Sequence, residues 1–248
     1  MALVAFDLDD TLAPSKSALP KQVNEALQRL LRRVDVLVIS GGTIEQFHRQ
    51  MLANLDVNEG ELSRMHLMPT CGTRYYLHEG GGWKAQYSHD LEDATKQRVM
   101  RVLEQASRDL GLWVEDPAGD IIEDRGSQIT YSALGQQADL KAKRAWDPTG
   151  EKKGRLRDAV APLLPDLEVR SGGSTSVDVT MKGVDKAYGM RKIMEQTGYT
   201  KDQIVFIGDR LDPEGNDYPV KAAGFETIAV TGWEDTVRVI DQLIEQRL

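Results

Sequence analysis

Cysteine is almost missing from these 248 residues: the single Cys71 excludes an intrachain disulfide and fits a reducing compartment, most simply as a small buried hydrophobe. Positive charge is in deficit, with 31 Lys and Arg against 39 Asp and Glu and a formal charge of −8. Neutralising a duplex backbone needs clustered Lys and Arg, so no nucleic-acid partner is expected. Apolar runs of about 18 residues, the length of a membrane span, do not occur. The N-terminus runs from Leu3 to Leu8 into acids, without a basic region or a small-residue cleavage site. The expectation is therefore a cytoplasmic protein with neither a secretion signal nor a membrane partner. Histidine is scarce: His48, His66, His78 and His89 show no ligand spacing with cysteine or paired acids, so no zinc site is expected.

What is present suits a globular enzyme. Hydrophobic residues make up 40% and charged residues 28%, and the length accommodates one domain with a smaller one inserted. "LVAFDLDDTL" opens the chain as a strand that breaks into three carboxylates, Asp7, Asp9 and Asp10. A helix is expected over 21–33, where Val23, Ala26, Leu27, Leu30 and Leu31 share a face, with Pro20 suited to its first turn. "VDVLVI" then reads as a buried parallel strand that ends in Ser40-Gly41-Gly42-Thr43 before the helix "IEQFHRQML". Right-handed crossovers put both strands in one sheet and bring Asp7 and Ser40 to one edge, where open α/β sheets bind ligands.

The middle of the chain changes character. Gly80-Gly81-Gly82 marks a hairpin and the exit from the first domain; a long helix over 91–110, short strands over 121–123, 128–132, 167–170 and 176–180, and a helix over 150–164 follow. This order fits an α+β layer with an antiparallel sheet. After Gly183 the α/β pattern resumes with "QIVFIGD" and a terminal helix from about Glu234. The expected fold class is α/β: a doubly wound parallel core over 1–81 and 184–248, holding an α+β cap over 82–183.

Two strand ends carry the chemistry. Asp7 and Asp9 flank one residue past the first strand, and Asp209 with Asp217 follows the strand at 204–207. Oxygen ligands of this kind suit Mg²⁺, which keeps several waters and recruits substrate phosphate. Taken singly, each acid also fits a solvated loop or a helix N-cap.

"FDLDDTL" resembles the first motif of the haloacid dehalogenase-like superfamily, and the likeness continues through Ser40 in "VISGG", Lys186 in "KGVDKAYG" and Asp209 and Asp217 in "GDRLDPEGND", while a cap between the Ser40 and Lys186 motifs resembles the arrangement of subclass IIB. The resemblance implies that Asp7 is a nucleophile forming an aspartyl-phosphate and Asp9 the general acid and base. It implies Mg²⁺ on Asp7, Asp9 (through its carbonyl) and Asp209, with Asp217 positioning Lys186 or a metal-bound water. Lys186 and Ser40, with the N–H groups of Gly41 and Gly42, would hold phosphate oxygens, Thr43 being the rival hydroxyl. Asp10 stands where this motif often has glycine; neither it nor Asp212 is assigned a role.

Within the subclass, "EDRGSQITYSALGQ", "GGSTSVDVTMKGVDK" and "PEGNDY" are similar to segments of the eukaryotic-type phosphomannomutases. That likeness assigns Arg125, Ser176 and Asp178 to sugar-phosphate binding. Two further cap arginines of the mutases fall on Gln136 and Lys143, which weakens the hold on a distal phosphate and favours water as the acceptor. The expectation is a Mg²⁺-dependent phosphatase of small phosphorylated sugars, a monomer or homodimer. The alternatives are a phosphomannomutase and, behind it, a non-catalytic binding protein on the same scaffold.

Overall fold

The computed structural model describes the whole chain apart from the side chain of Leu140. Two compact units emerge, Met1–Ser88 with Asp185–Leu248, and His89–Val184.

The first unit is built on a seven-stranded sheet. Its strands are β1 (Leu3–Phe6), β2 (Asp35–Ile39), β3 (Met65–Met68), β4 (Arg74–Glu79), β5 (Gly82–Ser88), β10 (Ile204–Gly208) and β11 (Glu226–Ala229), in the order β11-β10-β1-β2-β3-β4-β5. Strands β11 through β3 run parallel and the β4–β5 hairpin closes the edge antiparallel. Alternation along β1 explains why its residues are all apolar. Val4 and Phe6 enter the core beneath α1 (Lys21–Leu31) and α9 (Trp233–Arg247), while Leu3 and Ala5 enter the opposite one with Met190 and Ile193 of α7 (Lys186–Thr197) and Val220 of α8 (Tyr218–Ala222). Short α2 (Ile44–Gln50) and α3 (Glu59–Leu62) complete the connections.

The second unit holds a four-stranded antiparallel sheet of β6 (Ile122–Asp124), β7 (Gln128–Ser132), β8 (Leu167–Ser171) and β9 (Ser176–Met181), in the order β6-β7-β9-β8. Ile129, Tyr131, Val177 and Val179 point to one face and are buried with Val99 and Leu103 of α4 (Asp93–Asp109) and Leu156 and Val160 of α6 (Glu151–Val160). Helix α5 (Leu140–Trp146) lies between β7 and α6 in the chain.

Three differences from the sequence reading have physical causes. The Gly80-Gly81 hairpin forms, both glycines adopting positive φ as the tight turn requires. It does not leave the first domain: β5 pairs along β4 as the edge strand of the core sheet, so the core continues to Ser88 instead of 81. Strand β3 was not anticipated, because four residues interrupted by His66 carry no usable period. The 150–164 helix ends at Val160 and tightens into a 3₁₀ turn that includes Pro162, whose ring lacks the N–H the α-helical ladder needs. Among the described residues, no helix is long and apolar enough to cross a membrane.

Candidate active site

Register places the polar strand ends together. Leu3–Phe6 pairs residue by residue with 204–207 on one side and 35–38 on the other, so Asp7, Asp209 and Ser40 emerge at one sheet edge. Asp7 donates its N–H to Ile207 O at 3.0 Å, which continues the ladder one residue past the strand.

Lys186 opens α7 and is 1% exposed; its Nζ lies 2.6 Å from both Asp7 Oδ1 and Asp217 Oδ1. Asp217 is itself fully buried, and its Oδ2 accepts the Arg210 N–H at 3.1 Å. Gly208 makes this possible, since a Cβ there would stand 2.3 Å from Asp217 Oδ2. Asp209 accepts from Thr11 Oγ1 at 3.1 Å across 198 residues of chain.

Carboxylate oxygens of Asp7, Asp209 and Asp217 all lie within 4.8 Å of one another. Three acids face one lysine, and burial with this imbalance raises the carboxyls of Asp7 and Asp209. Burial pushes the Asp7 carboxyl well up, Asp217 and Asp209 add to this, and Lys186 opposes it. Asp209 is raised by burial and by Asp217. Burial alone would pull Lys186 down, but Asp7 and Asp217 overcome it and hold the ammonium charged. A hard divalent cation fits this donor set, because all donors are oxygens and negative charge is in excess. Both Asp217 oxygens already accept a hydrogen bond, from Lys186 Nζ and the Arg210 N–H, as Asp7 Oδ1 and Asp209 Oδ1 do from Lys186 and Thr11; each carboxylate keeps further lone pairs to offer an ion.

Asp9 points elsewhere. Its carboxylate is absent from the cluster and accepts from Lys16 N at 2.7 Å, Gln50 Nε2 at 3.0 Å and Gln46 Nε2 at 2.9 Å. Neither glutamine was singled out by sequence, although their four-residue spacing on α2 was a signal that they share a face. Ser40 is 4% exposed, and its Oγ accepts the Gly42 N–H at 3.1 Å. Thr43 caps α2 only by backbone conformation, and its hydroxyl bonds Glu45 and lowers that carboxyl. Gly41 sits in the same turn, where a Cβ would lie 4.0 Å from Cys71 Sγ.

In the second unit, cross-strand pairing puts Ser132 with Ser176, and Thr130 and Arg170 with Asp178. Opposed residues share a face, so Ser176 and Asp178 lie on the polar side of this sheet. Asp178 Oδ1 accepts from Thr130 Oγ1 at 2.8 Å. Arg125 follows β6; its Nε meets Glu123 Oε2 at 2.7 Å and its Nη2 reaches Gln136 Oε1 at 3.4 Å. Lys143 is 5% exposed, with Nζ turned onto the Gln136 carbonyl at 2.9 Å.

With this geometry in hand, comparison with known proteins is decisive for family. The sequence profile of the eukaryotic phosphomannomutases matches residues 23–246. The chain belongs to that family. Relatives include the phosphomannomutase of Drosophila melanogaster, 27% identical over 255 residues and covering 98% of this chain and 95% of the relative. That of Encephalitozoon cuniculi is 26% identical over 252 residues, covering 97% and 93%. Among solved structures, an IMP-bound IMP-nucleotidase of Plasmodium falciparum aligns with TM-score 0.73 at 14% identity, over 99% of this chain and 67% of that one. A haloacid dehalogenase-like hydrolase from Bacteroides thetaiotaomicron aligns with TM-score 0.64 at 16% identity, over 98% and 99%. At these identities the structures speak for the fold, a Rossmann-like haloacid dehalogenase core with a cap. Phosphomannomutase is thus the family, and the relatives' names favour mutase activity over the phosphatase expected from Gln136 and Lys143.

Proposed function

We propose that the chain transfers phosphoryl groups on small phosphorylated hexoses through Asp7, as a mutase of the phosphomannomutase type. The observation that carries this reading is the buried Asp7–Lys186–Asp217 arrangement beside Asp209, in a chain that matches phosphomannomutases along nearly its whole length.

Lys186, held by Asp217, supplies a fixed positive charge beside the nucleophile. An anionic phosphate monoester repels a carboxylate, so such charge is needed before attack. Mg²⁺, when bound by Asp7, Asp209 and the Asp9 carbonyl, would add to this screening. An Asp7 oxygen forms a bond to phosphorus while the ester P–O bond breaks. The departing sugar oxygen keeps the bonding pair and takes a proton from Asp9. In the second half, a hydroxyl of a sugar phosphate attacks the aspartyl-phosphate, gives its proton to Asp9 and carries the phosphoryl group away. Ser40 and the Gly41 and Gly42 N–H groups would hold phosphate oxygens. Arg125, Ser176 and Asp178 would recognise the sugar phosphate, with Arg suited to phosphate and the other two to hydroxyls.

Hydrolysis is the second reading, favoured by one specific observation. The resemblance read from the sequence sets Gln136 and Lys143 where the mutases carry arginines, and Lys143 is 5% exposed with its Nζ turned onto the Gln136 carbonyl. With a weaker hold on a second phosphate, water would be the acceptor and inorganic phosphate the product.

Phosphorus NMR with Mg²⁺ and mannose 1-phosphate, with and without catalytic glucose 1,6-bisphosphate, separates the two. Bisphosphate-dependent mannose 6-phosphate supports the mutase. Steady inorganic phosphate, indifferent to bisphosphate and lost in Asp7→Asn, would replace it with the phosphatase.

A further inference from the structure

Asp9 sits two residues from Asp7, close enough in sequence for a divalent cation to attract its carboxylate, yet that carboxylate stays out of the acidic cluster. The Lys16 N–H holds its Oδ1 at 2.7 Å, and a closed ring of side chains fixes both oxygens. Gln46 Nε2 donates to Asp9 Oδ2 at 2.9 Å and also to Gln50 Oε1 at 3.1 Å. Gln50 Nε2 completes the ring by donating to Asp9 Oδ1 at 3.0 Å. An ionised carboxylate only accepts, so both amides must present nitrogen to it, and each amide fixes the other. Gln50 is 3% exposed, with no room to turn away.

A second feature was shaped around the same contact. A Cβ on Gly42 would stand 2.2 Å from Gln46 Oε1 and 2.7 Å from its Cδ. The bare backbone at Gly42 is therefore what lets Gln46 fold over the turn after β2 toward Asp9.

We infer that Gln46 and Gln50 are positioning residues that withhold the Asp9 carboxylate from the cation, keeping it as a proton-transfer group instead of a metal ligand. This deepens the function proposed above and rests on that reading for the role of Asp9. The residue type fits the task. Lysine or arginine in either place would tie Asp9 into an ion pair and an acid would repel it, whereas a neutral amide directs the carboxylate through its N–H alone.

The test uses the full chain and Mg²⁺ alone, followed by turnover. Isothermal titration of Gln46→Met and Gln50→Met with Mg²⁺ should show binding tightened by about threefold or more, smaller than the roughly 10- to 100-fold by which groups behind metal ligands alter affinity. Steady-state assays with mannose 1-phosphate should show kcat lower by about 10- to 100-fold, a part of what a general acid–base contributes, with KM within about threefold. Tighter metal with slower turnover is a pairing that simple loosening of the fold does not produce. Gly42→Ala, which displaces Gln46 without removing an amide, should tighten Mg²⁺ in the same way. In an Asp9→Asn background the effect of Gln46→Met on Mg²⁺ affinity should vanish. Unchanged or weaker Mg²⁺ binding in folded Gln46→Met protein overturns the inference, and because Gln46 is only half-buried that variant decides even if Gln50→Met does not fold. If the wild type binds Mg²⁺ and the variants bind it more tightly while no phosphoryl transfer is found, the withholding stands and the enzymatic reading falls.

Discussion

Lys186 and Asp217, 31 residues apart in sequence, meet at 2.6 Å with essentially no exposure of either side chain. Removing Asp217 leaves Lys186 paired with Asp7 alone and the Arg210 N–H without its acceptor, which costs about 1–3 kcal/mol. Asp217→Ala should lower the urea midpoint accordingly and reduce turnover by about 100-fold or more as Lys186 loses one of its two anchors. Wild-type stability in this variant would mean that water replaces the carboxylate.

Mg²⁺ should stabilise the native state, because the excess of carboxylates at Asp7, Asp209 and Asp217 exists only when the chain is folded. At about 100 times its dissociation constant, a ligand specific to the folded state contributes about 2.7 kcal/mol. A rise in thermal midpoint with Mg²⁺, abolished by chelator and much reduced in Asp209→Asn, is the expected result.

Gly72 and Gly189 bring α7 against the loop after β3. A Cβ on Gly72 would stand 2.4 Å from Gly189 Cα, and one on Gly189 would meet Ile39 Cδ1 at 2.3 Å. Gly72 also has φ of +83°, where a side chain is strained. Gly189→Ala should destabilise by about 1–3 kcal/mol through overpacking. Because Lys186 lies one turn before Gly189 on the same helix, kcat should fall more than stability alone predicts.

At the opposite end of β2, Asp35 accepts from Arg64 Nε at 3.0 Å and from Tyr199 Oη at 2.7 Å. Burial pushes its carboxyl up, but His66, Tyr199 and Arg64 outweigh this and bring it from 3.8 to about 2. A depressed carboxyl stabilises the fold above its unfolded value, so the contribution is full above about pH 4 and is lost as pH falls through 2. Allowing for partial solvent access, it amounts to about 1 kcal/mol. Asp35→Asn should therefore be less stable than wild type at pH 6 by that amount, with the two denaturation curves converging near pH 2.

Gln136 and Lys143 test the choice of acceptor. Gln136→Arg with Lys143→Arg places bidentate donors at the two positions expected from sequence to weaken the hold on a distal phosphate, and should raise the ratio of isomerised product to inorganic phosphate at least severalfold, read by phosphorus NMR. An unchanged ratio would remove these positions from the account of acceptor choice.

Much of the architecture is legible in single stretches of sequence. The run "LVAFD" announces a strand buried on both faces, and Val4 with Phe6 and Leu3 with Ala5 do divide between two cores. The alternation Ile129, Tyr131 against Gln128, Thr130 and Ser132 announces a sheet with one apolar face. In both, burial imposes a period on neighbouring residues, and a period can be read locally. Strand β3 and helix α5 escaped because one is too short for a period and the other is rich in charge.

The site divides in the same way. Asp7, Asp9, Ser40, Lys186, Asp209 and Asp217 stand out in the sequence as candidates because each lies in a recognisable motif beside a strand end or helix start. Sequence could not tell that Asp217 would bind both Lys186 and the Arg210 N–H, or that Asp9 would turn from the acids toward Gln46 and Gln50. Nor could it tell that Lys143 would point its ammonium at the Gln136 backbone. The chain alone determined which residue types stand at the ends of which elements, since local periodicity and turn chemistry are properties of short segments. Which carboxylate faces which partner was decided only by the tertiary structure, because strand register and helix seating bring together groups tens to hundreds of residues apart, and no local pattern encodes those meetings.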